Sequence, residues 1–157
     1  SQIGAVRKSS KFFALADFEK LLYYWASLRR LEKDLVYQTS VEGSASQIEG
    51  LVPTNCLYAA YSAARKILGE SPADYNKVYL YADPEGLEEI KKRFPSPGPF
   101  HHPANLFVLK MAPTMLRYGA VTTLPQTFVD LWNLKDWYAR DFVKAIAERM
   151  KDYGVLS

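Results

Sequence analysis

The stretch from Lys77 to Leu109 constrains the fold more than any other part of the chain. Lys77-Val78-Tyr79-Leu80-Tyr81-Ala82 is rich in β-branched and aromatic residues and reads as a strand. Asp83 follows at an N-cap position and Pro84 at the first helical position, where proline's missing N–H removes no helical bond. In the helix from Pro84 to Phe94, Glu85, Glu88 and Glu89 precede Lys91, Lys92 and Arg93, the charge order favoured by the helix dipole, and Leu87, Ile90 and Phe94 face inward. Pro95-Ser96-Pro97-Gly98-Pro99 and Pro103 form a stiff exposed loop, and Leu106-Phe107-Val108-Leu109 is a short buried strand. Strand, helix, strand is a βαβ unit, which makes the two strands parallel with a right-handed crossover. The fold class is therefore α/β: a small mixed β-sheet of about four strands containing βαβ units, packed by helices, with C-terminal helices.

The flanking segments fill in that frame. Asp17 is a good N-cap for a helix whose stripe Phe18, Leu21, Leu22, Trp25 and Leu28 is expected to be buried, with Lys20, Tyr23, Ser27 and Arg30 on the opposite side. Leu35 to Val41 reads as a strand, and Gly43-Ser44-Ala45-Ser46 as a loop. Asn55 is expected to cap a helix from Cys56 to Leu68, closed by Gly69, whose Ala59, Ala60, Ala63 and Ala64 allow a close approach to the sheet. Tyr118 to Thr122 is expected to add an antiparallel edge strand. Thr123-Leu124-Pro125-Gln126 has capping-box spacing and opens a helix through Phe128, Val129, Leu131 and Trp132. A last helix starts near Asp136, runs along Ala139, Phe142, Val143, Ile146, Met150 and Tyr153, and ends at Gly154. Residues 1–16 read as an N-terminal linker and 17–157 as a single α/β domain.

Composition narrows the function. With 157 residues, 48% of them apolar, the chain fills one ordinary core. No apolar run approaches the roughly 18 residues of a membrane span, so a soluble chain is expected. Ser1-Gln2-Ile3-Gly4 carries neither an initiator Met nor an apolar signal region, and Ser1 reads as a cut site. Cys56 is the single cysteine, which excludes an internal disulfide and fits a reducing cytoplasm. A net charge of +3 permits nucleic acid without implying it.

No complete catalytic or metal-binding set shows in the chain. Cys56, His101 and His102 are too few for a structural zinc site, and Cys56 reads as a buried thiol on an apolar helix face rather than a nucleophile. Neither Walker spacing nor Gly-x-Gly-x-x-Gly occurs, and Gly43-Ser44 lacks the paired aspartates of metal-assisted phosphoryl transfer. Lys110 has no acidic companion on its strand, and Glu85, Glu88 and Glu89, like Glu42 and Glu49, read as solvated carboxylates. No cofactor is implied. The candidates left are binding residues. Arg29, Arg30 and Lys33 gather where they would touch phosphate or an acidic partner, as do Arg7, Lys8 and Lys11, although a solvated face explains such clusters as well. Trp137 falls on the polar side of the last helix and reads either as an exposed interface anchor or as a ring tucked under Trp132.

The order of segments resembles a known family. Leu31 to Val41, Tyr58-Ala59-Ala60-Tyr61-Ser62-Ala63-Ala64, Val78-Tyr79-Leu80-Tyr81-Ala82 and, above all, Thr123-Leu124-Pro125-Gln126-Thr127-Phe128-Val129-Asp130-Leu131-Trp132 are similar to the C-terminal region of AbiEi-type transcriptional regulators, the antitoxins of type IV toxin–antitoxin systems. The resemblance spans about Trp25 to Met150. It implies a cytoplasmic regulator with an N-terminal winged helix that binds DNA and a C-terminal domain that binds a protein partner, a nucleotidyltransferase-type toxin. Residues 7–15 would then be the end of the wing and its linker. The leading expectation is a non-enzymatic regulatory or partner-binding domain. Two alternatives stay open at this point: an enzyme whose site assembles from distant residues, and a direct nucleic-acid-binding module using Arg29, Arg30, Lys33 and exposed Tyr.

Overall fold

The computed structural model describes residues 18–98, 102–115 and 119–153. In chain order these form α1 (18–28), α2 (Leu31–Asp34), β1 (Leu35–Thr39), α3 (Ala45–Glu49), β2 (Leu57–Ala59), α4 (Ala60–Leu68), β3 (Val78–Ala82), α5 (Pro84–Arg93), β4 (Leu106–Lys110), α6 (Leu124–Trp132) and α7 (Ala139–Asp152). The sheet order is β1-β4-β3-β2, with β3 and β4 parallel at the centre and each outer strand antiparallel to its neighbour. The mixed α/β sheet expected from the βαβ unit is present. No helix among the described residues is long and apolar enough to cross a membrane.

Every residue of β3 is buried, so this strand separates two cores. Tyr79 and Tyr81 point into the larger one, with Leu57 and Ala59 of β2 and Leu109 of β4, beneath α1, α4, α6 and α7. Val78, Leu80 and Ala82 point into the other, where α3 and α5 supply Ala45, Ile48 and Ile90, and Phe94 follows α5. Helices thus cover both sheet faces, as a central parallel pair requires. At the head of α5, Asp83 Oδ1 accepts a 2.7 Å hydrogen bond from Gly86 N. Gly69 closes α4 at φ +79°, its N–H bonded to the Arg65 carbonyl.

Several local expectations are corrected. The first part of the helix expected over 56–68 is strand β2, because Leu57, Tyr58 and Ala59 pair with Tyr81, Leu80 and Tyr79. The turn into α4 is made by Ala60 at φ +50°, a left-handed conformation that costs an alanine about 1–2 kcal/mol and is held by buried neighbours on both sides. The segment read as a loop at Gly43 to Ser46 contains the start of α3, whose capping box is complete: Ser44 Oγ accepts from Gln47 N and Gln47 Oε1 from Ser44 N. The Thr123 box is half made. Thr123 Oγ1 accepts from Gln126 N at 3.3 Å, but the Gln126 side chain turns away to donate to Asp130 Oδ1. β1 stops at Thr39. In place of an antiparallel edge strand at 118–122, Val121 makes one parallel bridge to Tyr58, and Tyr118 lies outside the described residues.

The largest correction concerns α1. The residues of α1 that reach the core are Leu22 and Ala26, while Phe18, Leu21, Trp25 and Leu28 of the expected stripe are exposed. Tyr23, expected to face outward, packs edge-on against Phe128 and Trp132. The helical period is right and the buried face is rotated by about one residue. Asp17, Gly154 and the basic cluster Arg7, Lys8 and Lys11 lie outside the described residues.

Candidate functional site

The three clustered cations do not share one surface. Arg29 leaves the end of α1 and turns inward: its Nη1 donates to Asp34 Oδ2 at 2.6 Å and its Nη2 to the Tyr81 hydroxyl at 3.0 Å, with only 13% of the side chain exposed. Arg30 folds back on the end of α1 and donates to the Ser27 and Arg29 carbonyls, at 3.2 and 3.1 Å. Lys33 is exposed on α2. Counting charges along the chain misses this partition, because the partners of Arg29 include residues of β3 and α6.

Those partners form a buried polar network. Asp130, in α6, is completely buried. Its Oδ2 accepts from the Tyr81 hydroxyl at 2.8 Å and its Oδ1 from Gln126 Nε2 at 2.9 Å, while Arg29 Nε stands 3.6 Å from Oδ1. Burial pushes the Asp130 carboxyl up to about 6, and the Tyr81 hydrogen bond, the Arg29 charge and Gln126 restrain the rise. The Tyr81 phenol is pushed well above its ordinary value by the same burial and by the Asp130 charge. Above the network lies an open groove of about 490 Å³ at the carboxyl end of β4, lined by Trp25, Arg29, Asp34, Lys110, Met111 and Gln126. Ligands of α/β sheets bind at that end of the strands. A general acid or base must come within hydrogen-bond reach of its substrate, however, and Asp130 has no exposed surface. Arg29, at the groove wall, is already bonded to Asp34 and Tyr81. The network fixes α1, β3 and α6 to one another, and Asp34, whose side chain is 39% exposed, is its carboxylate that reaches the groove.

Glu49, expected to be solvated, is instead buried: its Oε2 accepts from the Tyr75 hydroxyl at 2.7 Å and its Oε1 stands 3.6 Å from Arg65 Nη1. Cys56 is buried, its thiol pushed up to about 11 by desolvation and then by the charges of Asp83 and Glu89, so the thiolate a nucleophile needs is scarce at neutral pH. Among the described residues no three His, Cys, Asp or Glu side chains come together to hold a metal ion. His102 is exposed and His101 lies outside the described residues.

The tryptophans stand out. Trp25, Trp132 and Trp137 are 37%, 47% and 86% exposed, although tryptophan is a residue that folded chains bury heavily. Trp132 and Trp137 flank a groove of about 400 Å³ between the end of α6 and the start of α7, with Leu134, Val143, Lys135 and Arg140 along it. Both rings touch aromatic neighbours. Trp132 lies 5.4 Å from Tyr23 and 5.7 Å from Phe128. Trp137 stands edge-on to Tyr138 at 5.4 Å, and the Tyr138 hydroxyl donates to Asn76 Oδ1 at 3.0 Å. The turn between the helices is pinned through Asp136, which receives Lys77 Nζ at 2.6 Å and the Tyr61 hydroxyl at 2.7 Å. Of the two placements weighed for Trp137, the structure takes the exposed one. The exposure of Trp132 escaped sequence reasoning, since it ends an otherwise buried helical pattern.

No protein family, curated protein or solved structure matches the chain.

Proposed function

We propose that this is a non-enzymatic, partner-binding regulatory domain, and that a protein partner docks in the groove between Trp132 and Trp137. The observation that carries the reading is the pair of exposed tryptophans, each touching an aromatic neighbour, beside one concave surface. Tryptophan is among the residues that most often dominate interface energetics, and its large ring has few rotatable bonds to freeze on binding. Lys135 and Arg140 are exposed on the same groove and take part in no ion pair among the described residues. The complementary partner surface is apolar with an acidic rim.

The resemblance of Thr123 to Trp132 and of the preceding segments to AbiEi-type regulators supplies the partner class: a nucleotidyltransferase-type toxin, with DNA bound by a separate winged-helix module. The Trp132 ring belongs to the segment that carries the resemblance most strongly. Direct nucleic-acid binding by this domain is the weaker reading, because Arg29 is engaged with Asp34 and Tyr81. Capture of proteins from the native host with the wild-type domain and with Trp137→Ala tests the proposal. A toxin-type protein retained by the first and lost by the second supports it; equal retention by both, or no such protein with either, counts against it.

A further inference from the structure

α1 presents a second apolar surface, separate from the tryptophan groove. Phe18, Leu21, Tyr24, Trp25 and Leu28 lie on one side of the helix and are 36%, 63%, 63%, 37% and 58% exposed, whereas Leu22 and Ala26 fix the adjacent side to the core. Phe18, Leu21, Trp25 and Leu28 follow one another at spacings of three, four and three residues, the spacing of a seam that packs against another helix. The seam is also symmetric about residue 23, with Phe18 and Leu28 equally far from it and Leu21 and Trp25 likewise.

We propose that this face is a two-fold interface on which α1 of a second copy of the chain packs antiparallel. A two-fold axis near residue 23 sets Phe18 against the second copy's Leu28, and Leu21 against its Trp25, so each contact pairs an aromatic ring with a leucine. This alternation of large and smaller side chains lets the two surfaces interdigitate. A parallel pairing instead stacks Phe18 on Phe18 and Trp25 on Trp25. The seam carries no charge, since Lys20, Ser27 and Arg30 lie on the remaining arc of the helix, and antiparallel helix dipoles attract. At roughly 200 Å² for each fully exposed side chain of this size, the five residues offer on the order of 500 Å² per chain, or about 1,000 Å² for the pair. That is the lower limit of a specific interface, which fits a reversible dimer at micromolar concentrations.

Sedimentation velocity over a concentration series, followed by cross-linking, tests the proposal. The wild-type chain is expected to shift from the mass of one chain to that of two, and Leu21→Glu with Leu28→Glu to stay at one across the same range with an unchanged circular dichroism spectrum. For orientation, Phe18→Cys chains are mixed with Leu28→Cys chains under mild oxidation, the native Cys56 being buried. Antiparallel pairing gives the mixed covalent dimer and little from Phe18→Cys alone, because two residues at position 18 then stand about 15 Å apart along the helices, beyond disulfide reach. A mass of one chain throughout overturns the proposal, as does an unchanged dimer in the double variant or cross-linking of Phe18→Cys with itself.

Discussion

Replacing Asp130 by asparagine separates two opposing effects on a buried carboxylate. Arg29 would favour the charged form, but its Nε stands 3.6 Å away and its guanidinium is already committed to Asp34 at 2.6 Å and to Tyr81. Desolvation therefore wins, and the folded protein holds the Asp130 proton up to about 6, against an ordinary 3.8. Between those values the folded state binds more proton than the unfolded chain. The group's contribution to stability is thus fully present below the lower value and is lost as pH rises through the upper one. A carboxyl moved this far corresponds to about 3 kcal/mol at 1.36 kcal/mol per pH unit. The side-chain amide in Asp130→Asn keeps an acceptor for Gln126 and a polar group beside the Tyr81 hydroxyl, and it does not titrate. Urea unfolding of both proteins from about pH 4 to pH 7 gives the difference directly, with the other carboxylates cancelling. Wild type is expected to lose on the order of 2–3 kcal/mol relative to Asp130→Asn across that range. A flat difference, or one that moves in favour of wild type as pH rises, refutes the reasoning and makes the Arg29 ion pair dominant.

Two further substitutions probe the frame around the groove. Gly69→Ala is expected to lower stability by about 1 kcal/mol, because the new Cβ meets no atom within 4 Å and the cost is that of the left-handed backbone alone; thermal unfolding reads it. Tyr61→Phe removes the hydroxyl that donates to Asp136 and is expected to cost about 1–2 kcal/mol in urea unfolding while preserving the fold.

The parts of the fold legible in the sequence are those specified locally. The β3–α5–β4 unit carries its own cap, its proline at N1 and its stop signals within one short stretch, so no distant contact is needed to read it. β2 was hidden because Leu57, Tyr58 and Ala59 become a strand only through pairing with β3, and an alanine-rich run beside Asn55 looks helical by itself. The Ser44–Gln47 cap was a readable signal, since its spacing stands in the sequence, but the neighbouring Gly43 and Ser46 suggested a loop. For α1 the periodicity identified the helix without saying which part of a broad apolar arc would meet the core. The candidate site divides the same way. Trp137 was legible because it falls on the polar side of the expected last helix, although α7 starts only at Ala139 and Trp137 stands in the turn before it, whereas the inward course of Arg29 depends on Tyr81 and Asp130, which lie 52 and 101 positions further along the chain.

The most direct test of the central reading is calorimetric titration of the captured partner into wild type, Trp137→Ala and Trp132→Ala, with the melting temperature of each variant measured in the same buffer. Trp137 is 86% exposed, so its removal is expected to change stability by less than about 0.5 kcal/mol. As an interface anchor it is expected to weaken binding by about 30-fold, equivalent to about 2 kcal/mol. Trp132→Ala is expected to weaken binding as well, with some loss of stability from its contacts with Tyr23 and Phe128. Unchanged affinity in a folded Trp137→Ala protein would contradict the assignment of this groove as the partner site.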